Sequence, residues 1–282
     1  MDQYRVFGNP IKQSRSPAIH QAFAHSTQQN MLYTSELVAL DAFDSTVKNF
    51  IKHEGKGANV TVPFKEQALL LCDQLSDRAR LAGAVNTLVF KKGIIFGDNT
   101  DGLGLVHDLL AKKVILNNKK ILLLGAGGAA KGVVLPLLKQ NPSSITIANR
   151  TVSKAENLCK QFQQEKNNQQ GDQQNKLYAC GFEELNSQCF DVIINATSAS
   201  LSGSIPAIGV NLINKNTVCY DMVYGKGLTP FLDWAQKNGA QTIIDGLGML
   251  VEQAAESFLI WRGIKPETEV VLLNLRKSVE GS

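Results

Sequence analysis

The sequence predicts an α/β protein of two domains, and three observations carry that prediction. Short apolar segments alternate with helical patterns from residue 4 to about residue 71; an apolar run, ILLL, leads into a glycine turn at 125–130; and the alternation then resumes and continues to residue 245. A chain of 282 residues, 44% hydrophobic and 19% charged, is long enough for two domains of the usual size.

The first series reads as a strand at YRVF, a helix after SRSP, a strand in LYTSELVAL, a helix over 44–54, a strand at NVTV and a helix over about 64–71. Such an order implies βαβ units and a largely parallel sheet. Next, VNTLVFKKGIIFGDN holds two strand-like runs around KKG, a hairpin signal, and TDGLGLVHDLLAK opens a longer helix. The first domain boundary is placed there, giving a domain over 1–104 and a second over 105–246.

The second series runs from KKILLLGAGGAAKG through SSITIANR, KLYACG, FDVIINATS, NTVCYDMV and QTIID. A helix over 228–238 ends at Asn238 and Gly239, as a helix C-terminus should. Pro136 inside the helix after the glycine turn predicts a kink or local adjustment. Residues 247–278 read as helical, and the segment 247–282 is expected to complete the first domain. The stretch QQEKNNQQGDQQNK, 163–176, is low-complexity and polar, and reads as a solvated surface insertion between a helix and a strand.

A net charge of +4 is mild, and its Lys and Arg residues show no nucleic-acid-binding signature. The five cysteines, an odd count without CxxC spacing, read as buried thiols in a reducing compartment. His20, His25, His53 and His107 have no ligand pairing, so no metal is expected. Neither a leader nor an apolar run of the roughly 18 residues that cross a bilayer is visible. The expectation is a cytoplasmic protein with a small-molecule substrate, no nucleic-acid or membrane partner, and a monomeric or homodimeric state.

In KKILLLGAGGAAKG, residues Gly125, Ala126, Gly127, Gly128, Ala129 and Ala130 fit G-x-G-x-x-A between a strand and a helix. The first glycine makes the turn, the second admits a pyrophosphate, and the helix N-terminus supplies unpaired N–H groups. This is a Rossmann-type dinucleotide signal; a tight turn without a ligand is the plain alternative. The next strand ends in Asn149, Arg150 and Thr151, followed by Lys154, where an NAD site would place a carboxylate. Two cations and a hydroxyl suit a 2′-phosphate, hence NADP. Thr151 or Ser153 could equally cap a helix.

A second anomaly lies in ANVTVPFKE. Lys65 sits where a helix should begin, facing the positive end of its macrodipole, a placement disfavoured by roughly 0.3 to 1 kcal/mol. Around it, GNPIKQSRSP offers Ser14 and Ser16, ANVTVPFK offers Asn59 and Thr61, GAVNT offers Asn86 and Thr87, and GDNTDG offers Asn99, Thr100 and Asp101. Each has a plain reading: turns for Asn and Asp, strands for Thr, a helix cap for Ser16 or Asp101. Capping alone would not explain Ser14.

Taken together, SxSP, NVTVPFK, GAVNT, GDNTDG, GAGGAAKG, NRT, NATS, YDMVY and DGLGMLVEQA resemble the NADP-dependent shikimate dehydrogenases, in that family's order over essentially the whole chain. The resemblance implies a substrate domain with a mixed, mostly parallel sheet, a Rossmann-type NADP domain, and an active site in the cleft between them. It implies that Ser14 and Ser16 bind the substrate carboxylate with Tyr224 nearby, that Thr61, Asn86 and Gln253 bond ring hydroxyls, and that Lys65 and Asp101 are the catalytic pair. NADP would lie on the 125–130 turn and on Asn149, Arg150, Thr151 and Lys154, with Thr197, Met222 and Gly246 along its nicotinamide half and Asp77 as a further contact. The implied reaction is reversible reduction of 3-dehydroshikimate by NADPH. One departure is Ala199 and Ser200 after NATS, where the family usually has Ser-Gly; the Gln/Asn insertion is another. The rivals are an NAD-linked quinate/shikimate dehydrogenase, disfavoured by the missing acidic residue after IAN, and a dinucleotide sensor without turnover, which should lack Lys65 or Asp101.

Overall fold

The computed structural model describes residues 1–167, 177–185 and 189–281. They form two compact units, Met1–Gly104 with Leu250–Leu275, and Leu105–Met249 with Arg276–Ser282. Of the insertion read over 163–176, residues 163–167 continue the preceding helix and residues 168–176 lie outside the described residues.

In the first unit the strands are β1 (Asp2–Gly8), β2 (Met31–Leu37), β3 (Gly55–Val60), β4 (Gln74–Leu75), β5 (Thr87–Lys91) and β6 (Ile94–Asp98), in the order β2-β1-β3-β5-β6-β4. The β1 strand is parallel to β2 and β3, while β5 is antiparallel to both β3 and β6. The predicted hairpin at KKG is present: Lys92 and Gly93 both have positive φ, 52° and 76°, the signature of a two-residue primed turn. The helices are α1 (Ser16–Ser26), α2 (Phe43–Lys52), α3 (Lys65–Leu71) and α4 (Asp77–Ala82). The core is aromatic: Phe7 packs edge-on against Phe43 and Phe50, and Phe64 stacks on Phe43 with centroids 4.9 Å apart.

The pair β4 and α4 is absent from the sequence reading. A two-residue strand is too short for a periodic signal, but α4 carried one: Ser76 accepts from the Ala79 N–H as N-cap and Gly83, at φ +64°, ends the helix.

In the second unit β7 (Lys120–Leu124), β8 (Ser144–Ala148), β9 (Leu177–Cys180), β10 (Val192–Asn195), β11 (Val218–Asp221) and β12 (Thr242–Asp245) are all parallel, in the order β12-β11-β10-β7-β8-β9. That is the doubly wound order of a dinucleotide-binding fold. Residues Ile121 to Leu124 are all fully buried, as a parallel strand covered on both faces requires.

The helix α5 (Asp101–Ala111) begins in the first unit, and α6 (Gly128–Leu138), α7 (Val152–Asn167) and α8 (Pro230–Lys237) belong to the second. The α6 helix runs through Pro136 to Leu138. The helical segment expected over 247–278 consists of α9 (Leu247–Arg262) and α10 (Glu269–Glu280). Gly263, at φ +70°, ends α9, and Pro266 follows, which periodicity alone did not weigh. Trp261 of α9 donates from Nε1 to the Leu88 carbonyl at 3.0 Å. Of the cysteines, Cys159 and Cys219 are buried, whereas Cys189 is exposed, contrary to expectation.

Candidate active site

Lys65 is the first residue of α3. The buried, stacked ring of Phe64 anchors that start, and the Lys65 carbonyl accepts from the Val85 N–H at 2.9 Å, beside Asn86. Lys65 Nζ donates to Asp101 Oδ2 at 2.5 Å, with 29% and 20% of the two side chains exposed. The helix start therefore holds a lysine because a carboxylate meets it there, which offsets the unfavourable macrodipole.

Asp101 is held by the turn before it. The Asp98 carboxylate accepts from Ser76 Oγ at 2.5 Å, from Arg78 in bidentate fashion at 2.6 Å each, and from the Asn99 N–H at 2.7 Å. Asn99 donates from Nδ2 to the Ala84 carbonyl and accepts the Asp101 N–H at 3.1 Å. Asp101 is thus the first helical residue, and the acceptor for its N–H is Asn99; the helix-cap reading of Asp101 gives way. Arg78, which the sequence reading passed over, stands two residues after the N-cap Ser76, and that cap was the available signal.

Asn86 completes the arrangement. Its Nδ2 donates to Asp101 Oδ1 at 2.7 Å and lies 3.4 Å from Gln253 Oε1, so Lys65, Asp101, Asn86 and Gln253 form one connected group. At the start of α1, Ser14 Oγ accepts from the Ser16 N–H at 3.3 Å. The cap-like bond is thus made by Ser14 and not by Ser16, because Arg15 occupies the N-cap position and Ser16 is already helical. Thr61 directly follows β3, and among the described residues its hydroxyl makes no hydrogen bond. Asp77 stands at the start of α4, paired with Arg80 at 3.2 Å.

The second unit carries the glycine turn. Gly125 has φ +105°, and a Cβ there would lie 3.2 Å from the Ala196 carbonyl oxygen, so the turn needs glycine. A Cβ on Gly127 or Gly128 would meet nothing within 4 Å, and no side chain caps α6. Unfilled space over unpaired N–H groups suits a pyrophosphate. The buried Ala130 permits close packing of α6. Beyond β8, Asn149 donates to the Thr151 carbonyl at 2.9 Å, and Arg150 and Lys154 are exposed without an ion-pair partner among the described residues. The side chains present fit NADP.

Thr197 donates from both N and Oγ1 to Asn195 Oδ1. The Met222 N–H donates to the Asn195 carbonyl, and a Cβ on Gly246 would lie 2.2 Å from the Met222 carbonyl oxygen. Thr197, Met222 and Gly246 are therefore joined at the carboxyl ends of β10, β11 and β12. The unusual Ser200 has a definite role: its buried Oγ donates to Asp221 Oδ2 at 2.6 Å, securing the turn of 3-10 helix at Ala199–Ser202. Tyr224 lies just beyond β11.

Comparison with known proteins gives a consistent result. The family of the shikimate dehydrogenase substrate binding domain matches residues 6–88, shikimate / quinate 5-dehydrogenase matches 108–203, and the shikimate 5′-dehydrogenase C-terminal domain matches 246–272. A Colwellia psychrerythraea protein named shikimate dehydrogenase (NADP(+)) is 61% identical over 279 residues, 99% of this chain and 98% of that protein. A Vibrio cholerae protein of the same name is 54% identical over 283 residues, covering 100% and 98%. Among solved structures, the Thermus thermophilus shikimate 5-dehydrogenase in complex with NADP(H) and shikimate has a TM-score of 0.85 at 29% identity, covering 99% of this chain and all of that one. An Ael1 enzyme from Pseudomonas putida has a TM-score of 0.92 at 42% identity, covering 98% of each chain.

Proposed function

The chain belongs to the shikimate dehydrogenase family, and from that premise we propose how its residues divide the work. It is an NADP-dependent oxidoreductase acting on a CH–OH group, and it interconverts 3-dehydroshikimate and shikimate on the route to chorismate and the aromatic amino acids.

The observation that carries the chemistry is the Lys65–Asp101 pair at 2.5 Å. As the ring carbonyl is reduced, negative charge develops on its oxygen; the Lys65 ammonium meets that charge and delivers the proton. Asp101 orients the ammonium, and Asn86 occupies the other carboxylate oxygen. In the reverse direction the Lys65 amine receives the hydroxyl proton. NADPH, when bound, supplies the hydride.

Ser14 and Ser16 receive the substrate carboxylate, and Thr61, Asn86 and Gln253 the ring hydroxyls. Arg150 and Lys154, exposed and without an ion-pair partner among the described residues, support a 2′-phosphate site together with Asn149 and Thr151. The 125–130 turn takes the pyrophosphate, and Thr197, Met222 and Gly246 take the nicotinamide half. Tyr224 and Asp77 keep the roles implied by the resemblance. A cytoplasmic location and a monomeric or homodimeric state belong to the same proposal. The test is the rise in NADPH absorbance with shikimate and NADP, repeated with NAD and with quinate: turnover confined to NADP and shikimate is expected, and equal rates with NAD would overturn the phosphate site.

A further inference from the structure

The polar groups beneath the Lys65–Asp101 pair are hydrogen-bonded in one direction, and two main-chain groups fix it. The Thr100 N–H can only donate, so the Asn86 atom 2.9 Å from it is Oδ1, and Nδ2 faces Asp101. The Asn86 carbonyl can only accept, so the Asn59 atom 3.0 Å from it is Nδ2, and Asn59 Oδ1 accepts from the Tyr33 hydroxyl at 2.7 Å. Further along, the second Asn59 Nδ2 hydrogen is shared between Ser257 Oγ at 3.0 Å and Thr87 Oγ1 at 3.2 Å. These two hydroxyls are 2.8 Å apart, and Thr87 Oγ1 donates to Asn86 Oδ1 at 2.8 Å. From the Tyr33 hydroxyl the bonds thus lead through Asn59, Thr87 and Asn86 to Asp101, while Ser257 Oγ also reaches the Gln253 carbonyl at 3.1 Å.

Packing keeps this chain of bonds dry. Thr87 and Ser257 are fully buried. The Tyr33 ring stacks on His20 at 4.1 Å and 13°. In such surroundings each aligned bond polarises and strengthens the next.

We propose that Tyr33 and Thr87 are positioning residues for the reaction, acting through Asn59 and Asn86 to occupy one oxygen of Asp101 and turn the other to Lys65. The inference rests on the roles given above to Lys65 and Asp101.

Wild type and Lys65→Ala are assayed first, since an inactive wild type or an unaffected lysine variant would sink those roles and not this one. Thr87→Val, which keeps the shape and removes the donor, is expected to lower kcat for shikimate oxidation about tenfold, with KM changed less than about twofold. Thr87→Ser, retaining the hydroxyl, should restore kcat to within about twofold of wild type. Tyr33→Phe should lower kcat in the wild-type background and have little further effect in Thr87→Val. Equal losses in Thr87→Val and Thr87→Ser would make the role one of packing. A Thr87→Val enzyme with lowered melting temperature but wild-type kcat would overturn the proposal, and additive effects of Thr87→Val and Tyr33→Phe would overturn the part given to Tyr33. If Thr87→Val does not fold, Ser257→Ala, which removes the hydroxyl beside Thr87, is read in the same way.

Discussion

Each unit contains a buried polar cluster, and the two are built from similar residues but end differently. In the first, Asn59, Asn86, Thr87, Thr100 and Ser257 pass their hydrogen bonds on to Asp101, which remains one-fifth exposed and paired with Lys65. In the second, the side chains converge on Asp221, which is fully buried. Its Oδ1 accepts from Asn195 Nδ2 and the Val223 N–H, and its Oδ2 from Ser200 and Thr229 at 2.6 Å each. A cluster that ends on an accessible ion pair can pass a proton to a ligand. One whose carboxylate is enclosed by four donors can only hold the chain segments that supply them. Damage to the first should therefore appear mainly in turnover, and damage to the second mainly in stability.

The sharpest test removes the open end of the first cluster. Lys65→Ala should lower kcat by roughly 10² to 10⁴, the usual worth of a positioned acid or base, or about 3 to 5 kcal/mol. Shikimate binding should suffer less, because Ser14, Ser16, Thr61 and Asn86 remain. Asp101→Asn should also slow turnover, and the double variant should lose far less than the product of the single losses. Turnover and binding are measured separately, with circular dichroism to establish the fold; a lysine variant keeping a tenth of wild-type kcat would reduce Lys65 to a substrate-positioning residue.

In the closed cluster, Asp221→Ala leaves the donors of Asn195, Ser200 and Thr229 without their acceptor, and should cost about 3 kcal/mol of stability. Urea unfolding gives the number, and a larger effect on kcat than on stability would erase the contrast between the clusters. Arg150→Ala should raise the KM for NADP by the worth of one charge-assisted contact, about 1.5 to 3 kcal/mol, without touching either cluster. An unchanged KM for NADP would remove Arg150 from the phosphate site.

The last effect concerns His20 under the first cluster. Burial pushes its pKa from 6.5 down to about 3, and Asn59 opposes the shift. Below about 6.5 the unfolded chain binds a proton that the folded protein refuses. Stability present above that pH is therefore lost as pH falls toward 3, by about 1.4 kcal/mol per unit. His20→Phe keeps an aromatic ring against Tyr33 and should flatten this slope between neutral pH and about pH 5. A slope equally steep in the variant would clear His20 of the effect.

Much of this arrangement was readable before any coordinates, and the reason differs from element to element. The ILLL strand, the GAGGAA turn and the KKG hairpin announce themselves because strand burial, positive φ and helix starts are demands made on neighbouring residues. Lys65 was visible for the same reason: a cation at a helix start opposes a local field. Ser76, with Gly83 seven residues on, was just as local and merely overlooked, whereas the two-residue β4 offers no period to read.

The clusters are another matter. Asn59 carried two readings, a ligand contact or a turn, yet it donates to Ser257, 198 residues away, and Thr87 meets that same hydroxyl across 170. Ser200 looked like a departure from a loop pattern until β10 and β11 lay parallel and set Asn195 beside Asp221. The sequence by itself determined periods, turns and the inventory of polar side chains, since each depends on a few adjacent residues. Which of those side chains share hydrogen bonds, and in which direction, only the tertiary structure decided: a buried polar group must find its partner wherever the packing of distant segments leaves one.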